Sequence, residues 1–497
     1  MSDCCGTKES CDNGKKENTT PDLLVIGGGS AAFSAAITAA ESGVRVVIAE
    51  NGTIGGTCVN VGCIPSKTMI RAMEAVHHAN AAKRFDGVKG TAEVFNWKAL
   101  VAQKQSLVDE LRKAKYEDVL PSYPNISYVD MKNKARFTGN GTEVDIDGVF
   151  YHPKKIVIAT GSSSVLPPIN GIQSVPALDS TSALELETLP KSLLVIGGGV
   201  IGVELGQMFA RAGVKVTICC RSRLLPEAEP EISAALKMYL EAEGLTVCTG
   251  IGYQKIEPFS EGIKLTCESL SCDSAGHCDT KAVDKVITAE KLLVAAGRKA
   301  NTSALDAGKA GIKLLKNGGI EINEYMQSSN PDIYAAGDVT GQDMFVYMAA
   351  YGGKLAAKNA LESNKHAYSN AAMPAVVFSD PQTAMVGLTE AQAKTKGHDV
   401  KTSIITLDHV PRYIAARDTR GLIKLVADKK TDRLLGAHIL APDGGEIVQT
   451  MVLALKANMT TEELANTIFP YLTGVEGLKL AAQTFNKDVK KLSCCAG

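Results

Sequence analysis

One pattern of apolar and polar positions occurs twice along the chain. LLVIGGGSAAFSAAITAAESGVRVVIAE begins at Leu23 and LLVIGGGVIGVELGQMFARAGVKVTICC begins at Leu193. Each opens with a short apolar run, passes through a glycine-rich turn into a segment of helical spacing, and returns after a further glycine to a second apolar run. That order predicts strand, tight turn, helix and strand, the beginning of a βαβ unit. An uncharged stretch, Leu23 to Ala40, has the length of a membrane span but is broken by three consecutive glycines. It reads as strand, turn and helix, and no stable membrane insertion is expected.

Other apolar runs punctuate the remainder. KKIVIATGSSSVLPP is a strand ending at Ala159-Thr160-Gly161 and followed by a proline-containing crossover, and KLLVAAGRKAN leads out of the second repeat near Gly297. DIYAAGDVT puts Asp338 after a short strand and a glycine, where a carboxylate can bind ribityl or ribose hydroxyls. From Met373 the pattern changes to alternating strands with packed helices, an α+β region without a nucleotide fingerprint whose expected task is interface formation.

Within the repeats the glycines have separate duties. They make a tight turn, let the backbone approach a pyrophosphate, and allow close helix–strand packing, with phosphates at the helix N-terminus. Gly27, Gly29 and Ala32 fill these positions in the first copy, and Gly197, Gly199 and Gly202 in the second. A single such turn is weak; two in phase predict two dinucleotide sites. At the end of the second strand the copies part. Glu50 is the acidic residue expected to hold ribose hydroxyls, whereas Cys220 stands at the equivalent place, followed by Arg221 and Arg223. With no carboxylate to repel a 2′-phosphate and two arginines to pair with it, the second site is expected to prefer NADPH; two solvated loop arginines are the alternative.

Composition narrows the classes. A chain of 497 residues exceeds one compact core, and 22% charged residues with a formal net charge of -1 select neither nucleic acid nor an anionic membrane. The N-terminus, MSDCCGTKESCDNGKKENTTP, is polar and lacks the apolar core of a secretory signal, so a cytoplasmic location is expected. Thirteen scattered cysteines cannot all pair within one molecule and suit redox chemistry or soft metals in a reducing compartment. Directly after the first βα unit, GGTCVNVGCIPSK brings Cys58 and Cys63 to loop-closing distance, with a proline limiting the backbone. Beside a dinucleotide fingerprint this pair reads as a redox disulfide.

The motif Gly-Gly-Thr-Cys-x4-Cys-x2-Pro-Ser-Lys, the duplicated fingerprint, the Ala-Thr-Gly strand and the Ala-Gly-Asp motif together resemble the class I pyridine nucleotide-disulfide oxidoreductases over nearly the whole chain. The resemblance implies an α/β fold with two Rossmann-like domains, as in glutathione reductases, and a C-terminal α+β dimerisation domain. The expected segments are a flexible leader at 1–20, an FAD domain at 21–165 and an NADP domain at 166–290. A second FAD-binding and central part at 291–370, a dimerisation domain at 371–490 and a flexible tail at 491–497 follow. It further implies Cys63 as the charge-transfer thiol against the flavin, Cys58 as the interchange thiol, and Lys67 with Glu204 as the pair near the flavin N5. Thr57, Ala159, Thr160, Gly161, Asp338 and Gly297 are implied as cofactor contacts.

Within that family, glutathione reductases and dihydrolipoamide dehydrogenases carry a His-Pro-Thr-x-x-Glu segment that supplies an acid/base. Here the stretch is IFPYLTGVEGLKLAAQTF, with Phe469 in the histidine place and Gly474 in that of the glutamate. An enzyme without that base is poor at protonating a leaving organic thiol. The stretch, with Tyr471, and the terminal FNKDVKKLSCCAG resemble the mercuric reductases. That implies Hg(II) delivered as thiol complexes, capture by Cys494 and Cys495 of a homodimer partner, transfer to Cys58 and Cys63, and reduction with NADPH through FAD. Tyr471 either steers bound metal or packs as an ordinary aromatic, and Val200 stands where some mercuric reductases have a second active-site tyrosine. Cys4, Cys5 and Cys11 either collect metal or belong to an unstructured leader. The spacing of Cys267, Cys272, His277 and Cys278 matches no common zinc site. The rivals are a small-thiol disulfide reductase and a metal-sequestering protein on a vestigial enzyme fold.

Overall fold

The first apolar run of each repeat is apolar throughout because it becomes the covered middle strand of a parallel sheet. The computed structural model describes residues 19–139, 141–272 and 278–489, with backbone alone at 269–272 and 278–284. Leu23–Ile26 lies between Val46–Glu50 and Lys155–Ile158, with Ile126–Asp130 and Ile333–Ala335 outside them, all parallel. Ser192–Ile196 lies in the same way between Lys215–Cys219 and Lys291–Val294, with Thr246–Cys248 and Ala177–Leu178 at the edges, again all parallel.

The described chain divides into two compact units. One is built from residues 19–66, 102–165 and 298–369, the other from 67–101, 166–297 and 370 onward. In the first unit the alanine-rich helix Ser30–Glu41 packs against Val346–Glu362. A Cβ at Gly353 would run into the carbonyl oxygen of Ala31, so the two helices meet backbone to backbone.

In the second unit an antiparallel sheet of Ile251–Phe259, Gly262–Cys272 and Cys278–Ala289 shares a core with one face of the parallel sheet. The domain boundary expected at 291 falls elsewhere. Lys291–Val294 pairs with Ser192–Ile196, so this segment belongs to the second parallel sheet and the unit runs to Gly297.

The C-terminal region is a five-stranded antiparallel sheet ordered Pro374–Val377, Gln382–Gly387, Leu434–Ala441, Leu422–Asp428, Val400–Thr406. Helices Gly444–Lys456 and Glu476–Gln483 contribute to its core. Leu422–Asp428 is buried along its length, including Lys424. The ammonium of that lysine is held by Glu229, Glu231 and Glu390 at 2.9–3.0 Å, the pairing that a buried charge requires.

Candidate active site

The two phosphate turns are built alike. Gly27 and Gly197 have φ of +122° and +120°, and a Cβ on either would collide with a carbonyl oxygen, of Ala159 and of Ala295 respectively. Only glycine tolerates that conformation and that approach. Helices Ser30–Glu41 and Val200–Arg211 both start from a glycine with no side-chain cap, so their first N–H groups are available to a pyrophosphate. Gly202 lies against the carbonyl of Gly197, while the first copy accommodates Ala32 with no exposure at all.

Glu50 and Cys220 occupy corresponding places. A Cβ on Gly28 would lie 2.9 Å from Glu50 Oε2, and one on Gly198 the same distance from Cys220 Sγ. Glu50 Oε1 accepts the N–H groups of Asn51 and Gly52, and Oε2 accepts that of Gly28. The Cys220 thiol, by contrast, is pushed up to about 11, mainly by burial, so it is neutral at physiological pH. Arg221 and Arg223 are both exposed, but Arg223 donates to the carbonyls of Pro226 and Ala228 and so braces its own loop. Of the two, Arg221 is the one free to meet a phosphate.

In the first unit Thr160 and Asn301 exchange hydrogen bonds through Thr160 Oγ1 and Asn301 Nδ2 at 2.8 and 2.9 Å, fixing the Ala159-Thr160-Gly161 turn. Gly161 and, in the second unit, Gly297 have positive φ and open space where a side chain would stand. Asp338 begins a short 3-10 helix and accepts the Ser162 hydroxyl at 2.6 Å, and Ser162 also receives Arg298 Nε at 2.8 Å. Neither Ser162 nor Arg298 carries a motif signal. Their role follows from two short strands, Ser162–Ser164 and Arg298–Ala300, that pair far apart in sequence.

The thiol segment is pinned to the first phosphate turn by its own glycines. Gly55 N–H donates to the Gly28 carbonyl at 2.9 Å, and a Cβ on Gly56 would sit 2.6 Å from the α-carbon of Gly29. Thr57 and Cys58 lie in the short helix Gly56–Asn60, with Thr57 exposed. Gly62 folds back so closely that a Cβ there would be 2.8 Å from the Thr57 carbonyl and 3.3 Å from the α-carbon of Cys58. Cys63 then opens the long helix Cys63–Asn80, whose N-terminal end favours negative charge on its sulfur. Both thiols are half-buried. Tyr116 stands over this segment, edge-on to Phe33 and 3.3 Å from the Ser30 hydroxyl.

In the second unit Lys67 Nζ meets Glu204 Oε2 at 2.6 Å, and Glu204 is buried. The other carboxylate oxygen accepts the Phe378 N–H at 2.9 Å, and the Lys67 ammonium lies 5.0 Å from the Phe378 ring centre. Sequence reasoning found the lysine and glutamate but missed Phe378, which comes from the C-terminal region. Val200 is the first residue of the helix Val200–Arg211. Tyr471 is 52% exposed. Phe469 packs against the C-terminal core, and a Cβ on Gly474 would come within 2.5 Å of the Tyr413 hydroxyl, so any side chain there would require Tyr413 to shift. Cys4, Cys5, Cys11, His277, Cys494 and Cys495, together with the side chains of Cys272 and Cys278, lie outside the described residues.

The sequence pattern of the pyridine nucleotide-disulphide oxidoreductases matches residues 21–368, and that of their dimerisation domain matches residues 373–482. The chain belongs to the pyridine nucleotide-disulphide oxidoreductase family. Among family members, a mercuric reductase of Lysinibacillus sphaericus is 45% identical over 477 residues, covering 96% of this chain and 84% of that one. A mercuric reductase of Streptomyces lividans is 42% identical over 486 residues, 97% of this chain and 99% of its own. A Cu(II) complex of the HOCl-induced flavoprotein disulfide reductase RclA from Escherichia coli has a TM-score of 0.79 at 28% identity, covering 94% of this chain and 99% of that one. As in the family, two nucleotide folds precede a dimerisation domain. Among the described residues no helix is long and apolar enough to cross a membrane.

Proposed function

We propose that the chain is a mercury(II) reductase that uses NADPH and bound FAD, with the overall conversion Hg(II) + NADPH → Hg(0) + NADP+ + H+. The observation that carries this reading is a thiol pair locked onto a nucleotide turn in a fold that has replaced the thiol-exchange histidine and glutamate by Phe469 and Gly474. The strong likeness to mercuric reductases over almost the whole chain supports it.

FAD fits the first unit, where Gly27, Gly29 and the uncapped helix start receive a pyrophosphate, Glu50 a ribose and Asp338 the ribityl hydroxyls. NADPH fits the second, at Gly197, Gly199 and Gly202, with Arg221 beside the neutral Cys220 for the 2′-phosphate. When bound, FAD supplies a two-electron store between NADPH and the thiols. Lys67 provides a fixed positive charge held in place by Glu204, which stabilises negative charge nearby. Cys63, at a helix start, is assigned as the thiol facing the flavin, and Cys58 as its exchange partner.

Hg(II) arrives as a thiol complex, is captured by Cys494 and Cys495 of the partner subunit, and passes to Cys58 and Cys63 by ligand exchange, with Tyr471 assigned to steer the metal. Soft, two-coordinate Hg(II) needs only thiolates for this step. Neutral mercury has little affinity for them, so reduction also drives release. The enzyme works as a homodimer in the cytoplasm. Anaerobic incubation with NADPH and Hg(II) in excess thiol tests the reading. Volatile mercury with stoichiometric NADPH oxidation is expected; NADPH oxidation that instead follows glutathione disulfide or dihydrolipoamide, without volatile mercury, would sink it.

A further inference from the structure

The second nucleotide unit holds thiols that the redox reading does not use. Cys219 ends the strand Lys215–Cys219 and Cys248 ends Thr246–Cys248, and the two are direct partners in the parallel register. Neighbouring strands lie about 4.8 Å apart, and partnered residues point to one face. Both cysteines are buried in the same core as Cys267. Tyr253, Cys267 and Lys285 form a row across the facing antiparallel sheet. Lys285, itself exposed, donates from Nζ to Cys248 Sγ at 3.3 Å, and the Tyr253 hydroxyl donates to the Cys219 carbonyl at 2.7 Å. The pair is chemically unequal. The hydrogen bond from Cys219 and the Lys285 ammonium hold the Cys248 thiol below its ordinary value, and that same hydrogen bond together with burial pushes Cys219 up.

Among the described residues, no group of three or more His, Cys, Asp or Glu side chains could hold a metal ion. That disfavours zinc, which takes four ligands. Two sulfurs on partnered strand ends, one of them hydrogen-bonded by the ammonium of an exposed lysine, suit a soft ion of coordination number two.

We propose that Cys219 and Cys248 form a second Hg(II) site, bordered by Lys285 and separate from the redox thiols, whose occupation weakens NADPH binding. In the exchange, two Cys S–Hg bonds form and two bonds from mercury to the incoming small thiols break. One thiol leaves as thiolate and the other takes the proton of Cys219, with no change of oxidation state. The link to the nucleotide is through backbone. Gly197 N–H donates to the Cys219 carbonyl and Cys220 N–H to that of Cys248, each at 2.9 Å, while Gly250 N–H donates to Ser222 in the Arg221 loop at 2.9 Å. Spreading the two strand ends around an ion therefore moves the phosphate turn and the 2′-phosphate loop together.

The test uses the full-length FAD-loaded protein with Cys58, Cys63, Cys494 and Cys495 changed to Ala, so it is independent of whether Hg(II) is reduced. Hg(II) is added as its glutathione complex, excess glutathione is kept present, and metal retained after gel filtration is counted. Cys219→Val and Cys248→Ser, made separately, keep side-chain volume, and flavin content and Tm report folding in each. The parent should retain one Hg(II) per chain more than either variant, with sulfur-to-mercury charge-transfer absorption and about tenfold weaker NADPH binding when loaded. Lys285→Met should retain it several-fold less tightly. Equal retention in the parent and in a folded variant, or retention without any change in NADPH affinity, would overturn the proposal.

Discussion

The phosphate turns of the two nucleotide units share a backbone path, and the residue at the end of the next strand differs in charge. In both, a middle strand ends in a glycine pressed against a carbonyl, an uncapped helix follows, and the next strand ends beside the second glycine of the turn. At that end stands the carboxylate of Glu50 in one and the neutral thiol of Cys220 in the other. In the proposed function the glycines make both units receptive to a pyrophosphate, and the strand-end residue is assigned the choice of ribose. On that reading, binding strength and binding choice are assigned to different atoms a few ångströms apart.

The strongest challenge is to the shared part. Gly27→Ala and Gly197→Ala each force a Cβ against a carbonyl at positive φ, at a cost of a few kcal/mol from strain and overpacking. Gly27→Ala should purify without flavin absorbance. Gly197→Ala should keep its flavin but bind NADPH at least about a hundredfold more weakly. If each variant retained its nucleotide, the turns would not be the binding elements.

Next comes the part that differs. Cys220→Glu copies the first unit into the second and should lower kcat/KM for NADPH by about tenfold to a hundredfold through like-charge repulsion, while NADH is spared. An unchanged NADPH to NADH ratio would show that the strand end does not choose the ribose. Smaller effects should separate the arginines. Arg221→Ala should raise KM for NADPH about tenfold and leave NADH and Tm alone. Arg223→Ala removes two loop hydrogen bonds of about 1 kcal/mol each, so it should weaken both nucleotides a few-fold and lower Tm. The smallest change, Ala32→Gly, should cost about 1 kcal/mol in helix stability and keep FAD, measured by thermal melts with flavin fluorescence.

What could be read in advance was local. The turns, the thiol loop and the alternation after Met373 each announce themselves within a few residues, because glycine, proline and period-2 patterning act at short range. Long-range partners do not. Phe378 reaches Glu204, Asn301 fixes Thr160, and Lys291–Val294 joins the second sheet, all through pairings that only the folded topology creates. Arg223 illustrates the limit from the other side, since its sequence position suits a phosphate and its guanidinium holds its own loop. The pairing of Cys219 with Cys248 was equally hidden, because the register of parallel strands depends on the length and packing of the helix that crosses between them.

The carbonyls that face Gly27 and Gly197 also set how much of the chain must be synthesised before each turn has its partner. Gly27 waits for Ala159, and its sheet waits further for Ile333–Ala335, whereas Gly197 needs only Ala295. The segment with the second turn is therefore synthesised in full while the first sheet still lacks an edge strand. A nascent chain arrested between Gly297 and Ile333 holds every strand of the later-encoded nucleotide fold and an unfinished version of the earlier one. During that interval Lys155–Ile158 lacks the strand that covers its outer edge in the finished sheet.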